Sequence, residues 1–347
     1  MSKGTVLLTG ASGFIAQHIV LRLLNENYKV IGTVRSESTR EKIDNLFKNE
    51  NLVLEIVPDI SNLNAFDEVL AKYSNKIDYV LHTASPFTFN VNDYEKDLLI
   101  PALNGTKSIL NAIKEHSVES VKRVIITSSY AAITTVGKDG DANVTFNEHT
   151  WNPATWESCQ SDPVSAYCGS KTFAEKVAWD FVKKNAGSIN FTLTTVNPVI
   201  VFGPQLFDAS VGKNLNTSCE LINDIVNYKE GVTQFDPDYF FSFVDVRDVS
   251  KAHVLALEKK EAIGKRLFLI AERFSNIELC NIIAKKFPQL KNKMPRNVDF
   301  ENNDGKALYS KAAYLDNSET KKILGFEFIS LEKSIDDTVE QLLRVNK

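Results

Sequence analysis

Tyr167 and Lys171 stand four residues apart in the run Tyr167-Cys168-Gly169-Ser170-Lys171. On a helix that spacing puts both side chains on one face. No other tyrosine of the chain has a lysine at this distance. An unperturbed phenol titrates at about 10 and is a poor proton partner near neutrality. A neighbouring ammonium lowers that value, which brings Tyr167 toward the range useful for acid–base work. The same ammonium can hydrogen-bond the hydroxyls of a ribose. Taken alone, such a pair is more often an ordinary helix surface. Ser128-Ser129 changes its weight: the pair follows an apolar run, 121–127, that reads as a strand. A hydroxyl at a strand's carboxyl end can donate to a carbonyl oxygen and hold it for the tyrosine proton, or it can simply cap a turn.

These residues need a scaffold, and the first residues supply its opening unit. Thr5–Thr9 is a short run of strand formers, broken by Gly10-Ala11-Ser12-Gly13 and followed by helical periodicity from Phe14 and Ile15 onward. Strand, glycine turn and helix form the phosphate-cradling start of a dinucleotide-binding fold. Gly10 suits the tight turn, and Gly13 lets backbone approach a pyrophosphate at the helix N-terminus. Lys29–Val34 reads as a second strand, and Arg35 and Ser36 follow it, with Arg40 a turn beyond. An acidic residue there would hold a ribose 2′-hydroxyl; a guanidinium, with no carboxylate nearby to repel it, suits a 2′-phosphate. NADP(H) is therefore the expected cofactor.

Further strands are expected at 52–57, 79–82, 121–127 and 191–196, alternating with helices at 38–48, 64–73, 98–116 and 166–185. That alternation predicts an α/β, Rossmann-type doubly wound parallel sheet covered on both faces. From about residue 199 the pattern loosens into one helix at 217–228, a strand-like run at 240–249, a strand at 266–270, a loop-like stretch at 287–313 and a closing helix at 331–345. The expected division assigns 1–198 plus about 240–258 to the cofactor domain. It assigns about 199–239 plus 259–347 to a smaller, interleaved substrate lobe.

The 347 residues carry a net charge of −4, which offers no electrostatic case for nucleic acid or an anionic membrane. No apolar run approaches the ~20 residues of a membrane span, and a core strand begins almost at once, so neither a membrane anchor nor a signal peptide is expected. Cys159, Cys168, Cys219 and Cys280 form no C-x-x-C pair and suit a reducing, cytoplasmic setting. The five histidines are scattered, and no metal site is expected.

In this order, these motifs resemble the extended short-chain dehydrogenases/reductases. The segments TGASGFIAQHIV, VLHTASPF, VIITSSYAA, NPATWESCQSDPVSAYCGSK, VNPVIVFGP and VDVRDVSKAH carry the resemblance over about residues 5–257, and KKILGF at 321–326 also fits. More narrowly, the chain is similar to the yeast NADPH-dependent aldehyde and ketone reductases that act on methylglyoxal and 3-methylbutanal, relatives of plant dihydroflavonol and cinnamoyl-CoA reductases. The resemblance implies Ser129 as the residue orienting a carbonyl, Tyr167 as general acid and Lys171 as its tuner and ribose anchor. It implies Gly10, Ser12, Gly13, Phe14 and Ile15 on the pyrophosphate and Arg35 on the 2′-phosphate, with Arg40 as a possible second cation there. It puts Asp59 and Ile60 beside the adenine, Thr83, Ala84 and Ser85 along the cofactor, Pro198, Val199 and Val201 against the nicotinamide, and Ser218 near the phosphates. The sequence departs from the family pattern at Ala102, where many members carry asparagine, and at Thr39, where a basic residue is common.

Phe87, Phe89, Tyr130, Ile133, Val164, Phe202 and Phe243 are the apolar residues expected around the substrate, although each is equally well a piece of core. An uncharged small or medium carbonyl compound is the expected partner, and the chain is expected to be a monomer or homodimer. Bulkier, dihydroflavonol-like ketones remain open as substrates. A nucleotide-sugar dehydratase would need an acidic pair beside the serine, where Tyr130, Ala131 and Ala132 stand. A cofactor-sensing binding protein would have no use for Ser129, Tyr167 and Lys171 together.

Overall fold

The computed structural model describes residues 2–85, 93–212, 215–228, 235–295 and 302–345. In chain order its elements are β1 (Thr5–Thr9), α1 (Phe14–Asn25), β2 (Lys29–Val34), α2 (Glu37–Phe47), β3 (Leu52–Ile56), α3 (Asp67–Lys72), β4 (Tyr79–His82), α4 (Ile100–His116) and β5 (Arg123–Thr127). Then come β6 (Thr145–Asn147), α5 (Pro163–Lys184), β7 (Thr192–Pro198), β8 (Ile200–Phe202), α6 (Thr217–Val226), β9 (Phe240–Asp245) and α7 (Val246–Glu258). The chain closes with β10 (Arg266–Leu269), β11 (Glu272–Ser275), α8 (Asn276–Lys286), β12 (Tyr314–Asp316), α9 (Ser318–Leu324) and α10 (Leu331–Val345).

Seven strands form a sheet in the order β3-β2-β1-β4-β5-β7-β10, every neighbouring pair parallel. Alternation along each strand sends side chains to opposite faces. Val6 and Leu8 of β1 join α1 and α7 on one side, while Leu7 joins α4 and the inner face of α5 on the other. The chain runs outward from β1 to β3 and then restarts at β4 on the other flank of β1. That reversal opens a crevice at the carboxyl ends of β1 and β4, where ligands of open α/β sheets bind. The expected parallel sheet is the one observed.

The expected division of the chain differs from the observed strand order in two places. β10, expected in the substrate lobe, is the edge strand of the large sheet, pairing Arg266 to Leu269 with Thr195 to Pro198. β9, expected in the cofactor domain, instead joins β8 and β11 in a separate three-stranded sheet that packs with α6, α8 and α10. The strand-like run at 240–249 stops at Asp245, whose carboxylate accepts from the Arg247 N–H at 2.8 Å and starts α7. An N-cap aspartate ends a strand and begins a helix at the same residue. Sequence periodicity also passed over β6, β8, β11, β12, α8 and α9, most of them short. Among the described residues no helix is long and apolar enough to cross a membrane.

Candidate active site

The glycine turn is built by steric need. Gly10 has φ +70°, and a Cβ there would come within 3.1 Å of both Cα and Cβ of Ala84. Only glycine meets both conditions at low cost. The turn is fastened from beneath: Gly10 N–H donates to Thr33 Oγ1 at 3.2 Å and Ala11 N–H to the Thr33 carbonyl at 2.8 Å. Thr9 Oγ1 in turn accepts from the N–H groups of Thr83 and Ala84, each at 3.1 Å. The loop after β4 and the turn after β1 are thus one unit.

Gly13 is the N-cap of α1 and offers no side chain to its first turn. The N–H groups of Phe14, Ile15 and Ala16 have no intrahelical acceptor by position. Ser12 lies just before them, its carbonyl held by Gln17 Nε2 at 2.8 Å. Phe14 and Ile15 are part-buried against the core. At the end of β2, Arg35 is exposed and makes no hydrogen bond or ion pair among the described residues. Arg40 differs, because its guanidinium is engaged by the Glu37 carboxylate. The expectation that no carboxylate stands near is therefore corrected: Glu37, in the first turn of α2, faces Arg40. A glycine cradle, an uncapped helix start and an unpaired guanidinium together fit a dinucleotide bearing an extra phosphate.

Asp59 and Ile60 follow β3. The Asp59 carboxylate accepts from Ser61 N–H at 2.8 Å and Ser61 Oγ at 2.6 Å, bonds that hold it below the usual carboxylate range. Ile60 lies against Gly105 of α4. Pro198 and Val199 leave β7 beside β10, and the Val199 N–H donates to the Leu269 carbonyl at 3.2 Å. Val201 is buried in β8, and its carbonyl accepts the Ser218 hydroxyl at 2.6 Å. Ser218 Oγ also accepts from Asn216 Nδ2 at 2.8 Å, so its proton and one of its two lone pairs are used within the fold.

Ser129 sits one residue beyond the strand-end serine, in extended backbone, and its Oγ accepts from Ala131 N–H at 3.1 Å. The expected alternatives, capping or carbonyl contact, are compatible: accepting from the backbone leaves the hydroxyl proton to donate. α5 starts at Pro163 under an Asp162 cap and carries Tyr167 and Lys171 toward this serine. The half-buried Tyr167 shares a hydrogen bond with the Ser129 side chain, which pulls its pKa down. Burial outweighs that and pushes the phenol above its ordinary value. Lys171 is not what shifts it here. Its Nζ lies 5.9 Å from the Tyr167 ring centre and donates to Ser85 Oγ at 2.9 Å. Burial lowers the Lys171 ammonium to about 8. His82, beneath this group, hydrogen-bonds Thr9 Oγ1 at 2.9 Å, and burial holds it neutral at about 3.

Four of the apolar residues expected around the substrate, Tyr130, Ile133, Phe202 and Phe243, are buried in packed clusters. Tyr130 is 3 % exposed, stacks on Phe268 at 5.3 Å and donates its hydroxyl to Asp139 at 2.6 Å. Ile133 is core beneath it, and Phe202 and Phe243 stack on each other inside the lobe. These four face packed side chains, because apolar residues at strand ends also seal the joint between two sheets. Val164 alone of the described group is well exposed, at 53 %, one turn before Tyr167. Phe87 and Phe89 lie outside the described residues.

Sequence reasoning missed the residues that hold this site. Thr9 and Thr33 fasten the glycine turn. Glu175, two turns beyond Tyr167, is fully buried and paired with Arg266 at 2.6 Å. A carboxylate on the buried small-residue stripe Ala166, Gly169, Thr172 and Ala178 was the available signal.

The model of the NAD dependent epimerase/dehydratase family matches residues 6–271. The chain is 51 % identical over 341 residues to an NADPH-dependent methylglyoxal reductase of Saccharomyces cerevisiae, covering 98 % of each. The crystal structure of yeast methylglyoxal/isovaleraldehyde reductase Gre2 complexed with NADPH superposes with a TM-score of 0.93 at 50 % identity, over 99 % of each chain. The structure of Gre2 in complex with NADPH from Candida albicans gives the same TM-score at 44 % identity, over 99 % of this chain and all of that one.

Proposed function

We propose that this chain, which belongs to the NAD dependent epimerase/dehydratase family, is an NADPH-dependent carbonyl reductase that turns small or medium aldehydes and ketones into alcohols. The observation that carries the reading is the hydrogen bond between Tyr167 and Ser129, set beside Lys171 at the crevice between β1 and β4. The kinship with an NADPH-dependent methylglyoxal reductase supports it.

NADPH, when bound, supplies the hydride. The chain's own residues do the rest. Gly10, Ser12, Gly13, Phe14 and Ile15 present backbone and an open helix start to the pyrophosphate. Arg35 meets the 2′-phosphate with a planar, permanently charged fork. Lys171 and Ser85 hold the nicotinamide-side ribose. Ser129 donates its hydroxyl hydrogen to the substrate's carbonyl oxygen, which fixes the carbon's position and stabilises the negative charge that grows on the oxygen. Tyr167, kept protonated by its raised pKa, delivers a proton to that oxygen and becomes phenolate. The Lys171 ammonium, one helical turn away, stabilises that phenolate until solvent returns the proton. One hydride and one proton add across C=O, and the product is an alcohol.

Among the described residues at this site, Arg266 is taken up by Glu175 and backbone carbonyls and Arg40 by Glu37, which leaves Lys171 and the distant Arg35 as the cations and favours uncharged substrates over nucleotide sugars or acyl-CoA esters. The test is initial-rate consumption of NADPH and of NADH with methylglyoxal, 3-methylbutanal and a bulky aryl ketone. Faster turnover of the two small aldehydes, with NADPH preferred, is the expected result. Preference for the aryl ketone would move the substrate class, and preference for NADH would overturn the role given to Arg35.

A further inference from the structure

Glu175 occupies a position that neither the expected motifs nor the proton chemistry uses. Its side chain is fully buried. A carboxylate taken out of water is tolerated only when its lone pairs are met by donors. Five side chains surround this one. Oε1 accepts from Arg266 Nε at 2.6 Å and Trp179 Nε1 at 3.2 Å, with the Thr195 hydroxyl at 3.0 Å. Oε2 accepts from the Ser128 hydroxyl and from Asn197 Nδ2 at 2.7 Å. Arg266 is itself tied to the carbonyls of Ala132, Glu148 and Thr150 and lies 3.8 Å over the Trp151 ring, so the carboxylate cannot drift.

Asn197 passes this order on. Its amide nitrogen carries two hydrogens and meets two acceptors, Glu175 Oε2 and the Ser129 carbonyl at 3.2 Å. The pairing fixes which way the amide faces, because its other end would set oxygen against oxygen. Ser128 is held by the same carboxylate through its hydroxyl, and its N–H donates to the Val196 carbonyl at 2.8 Å. The Ser128–Ser129 segment is therefore clamped at both residues by one buried charge, while the Ser129 hydroxyl faces Tyr167.

We propose that Glu175 is the positioning residue for Ser129, acting through the Asn197 amide and the Ser128 hydroxyl to hold the serine where it meets the substrate oxygen. This rests on the carbonyl-reductase reading given above. A carboxylate that merely pinned β10 to α5 would contact Arg266 and need neither Asn197 nor Ser128.

The test is a double-mutant cycle on kcat, with NADPH affinity measured separately by fluorescence. Glu175→Gln and Asn197→Ala are each made alone and with Ser129→Ala. The Asn197 variant leaves the Glu175–Arg266 pair intact, so it carries the test if Glu175→Gln does not fold. Each single variant is expected to lose about 10- to 100-fold in kcat, since small misplacements of a reacting group cost that much. NADPH affinity should stay within about twofold, and in the Ser129→Ala background the further loss should shrink to about twofold or less. Losses that multiply fully with Ser129→Ala, in an active wild-type enzyme, overturn this proposal and leave the reductase reading standing. A wild-type enzyme that consumes no NADPH with any carbonyl overturns both.

Discussion

Lys171 donates to the Ser85 hydroxyl across 2.9 Å, joining the helix that carries Tyr167 to the loop that follows β4. The contact places a part-buried amine beside the loop whose Thr83 and Ala84 N–H groups are fastened to Thr9 Oγ1 beneath the glycine turn. The bond ties α5 to the end of β4.

Burial brings the Lys171 ammonium to about 8. The charged form is thus present below that pH and lost as pH rises through it. In the free enzyme, kcat/KM should fall on the alkaline side with an apparent pKa near this value. Lys171→Met should remove that limb and cut kcat/KM by about 10²-fold or more. A pH–rate profile of both proteins checks this. An unchanged alkaline limb in the variant would assign it to another group.

Arg35 and Arg40 should behave differently although they lie close in sequence, Arg35 just past β2 and Arg40 in α2. Arg35 has no partner among the described residues, whereas Arg40 is engaged by Glu37. A hydrogen bond to a charged group contributes about 1.5–3 kcal/mol, or roughly 10- to 100-fold in affinity. Arg35→Ala should raise KM for NADPH by that factor and leave KM for NADH nearly unchanged. Arg40→Ala should alter both little. Equal losses in the two variants would show that both guanidinium groups share the 2′-phosphate.

Arg266 joins the edge strand of the sheet to the centre of the site, and it is largely buried against a fully buried Glu175. Removing one partner of such a pair leaves an uncompensated buried charge, at a cost of about 3–5 kcal/mol. Arg266→Met should lower stability by this amount in urea titration. Replacing both residues, as Glu175→Gln with Arg266→Met, should be less destabilising than the sum of the single changes. Strict additivity would mean that the two side chains do not act as a pair.

Much of the cofactor half is legible in the sequence because its signals are local. The bounds of β1, β2 and β4 follow from apolar runs ended by glycine or polar residues, and Tyr167 with Lys171 follows from helical spacing read together with Ser128-Ser129 after β5. What was not legible depends on where the chain goes next. Tyr130, Ile133, Phe202 and Phe243 are apolar residues at strand ends, and the same type serves a pocket wall or a buried joint. Only the second sheet, formed when β9 pairs with β8 and β11, decides for the joint. The start of α8 was readable: Ser275 accepts from Glu278 N–H at 3.1 Å, and the S-x-x-E pattern announces that cap. Glu175 stands out in the sequence only as a carboxylate on the small-residue stripe of α5; its partners do not, because they come mostly from β7, β10 and the end of β5, far apart in sequence and adjacent only through the sheet order.

The proposed mechanism has Tyr167 give the proton and Ser129 hold the oxygen. It is tested most directly by Tyr167→Phe, which keeps the ring and removes the hydroxyl. NADPH consumption with a small aldehyde should fall by about 10²- to 10⁴-fold, the usual worth of a positioned general acid, while NADPH binding stays close to wild type. Turnover within a few-fold of wild type would contradict the account and send the proton's source elsewhere in the site.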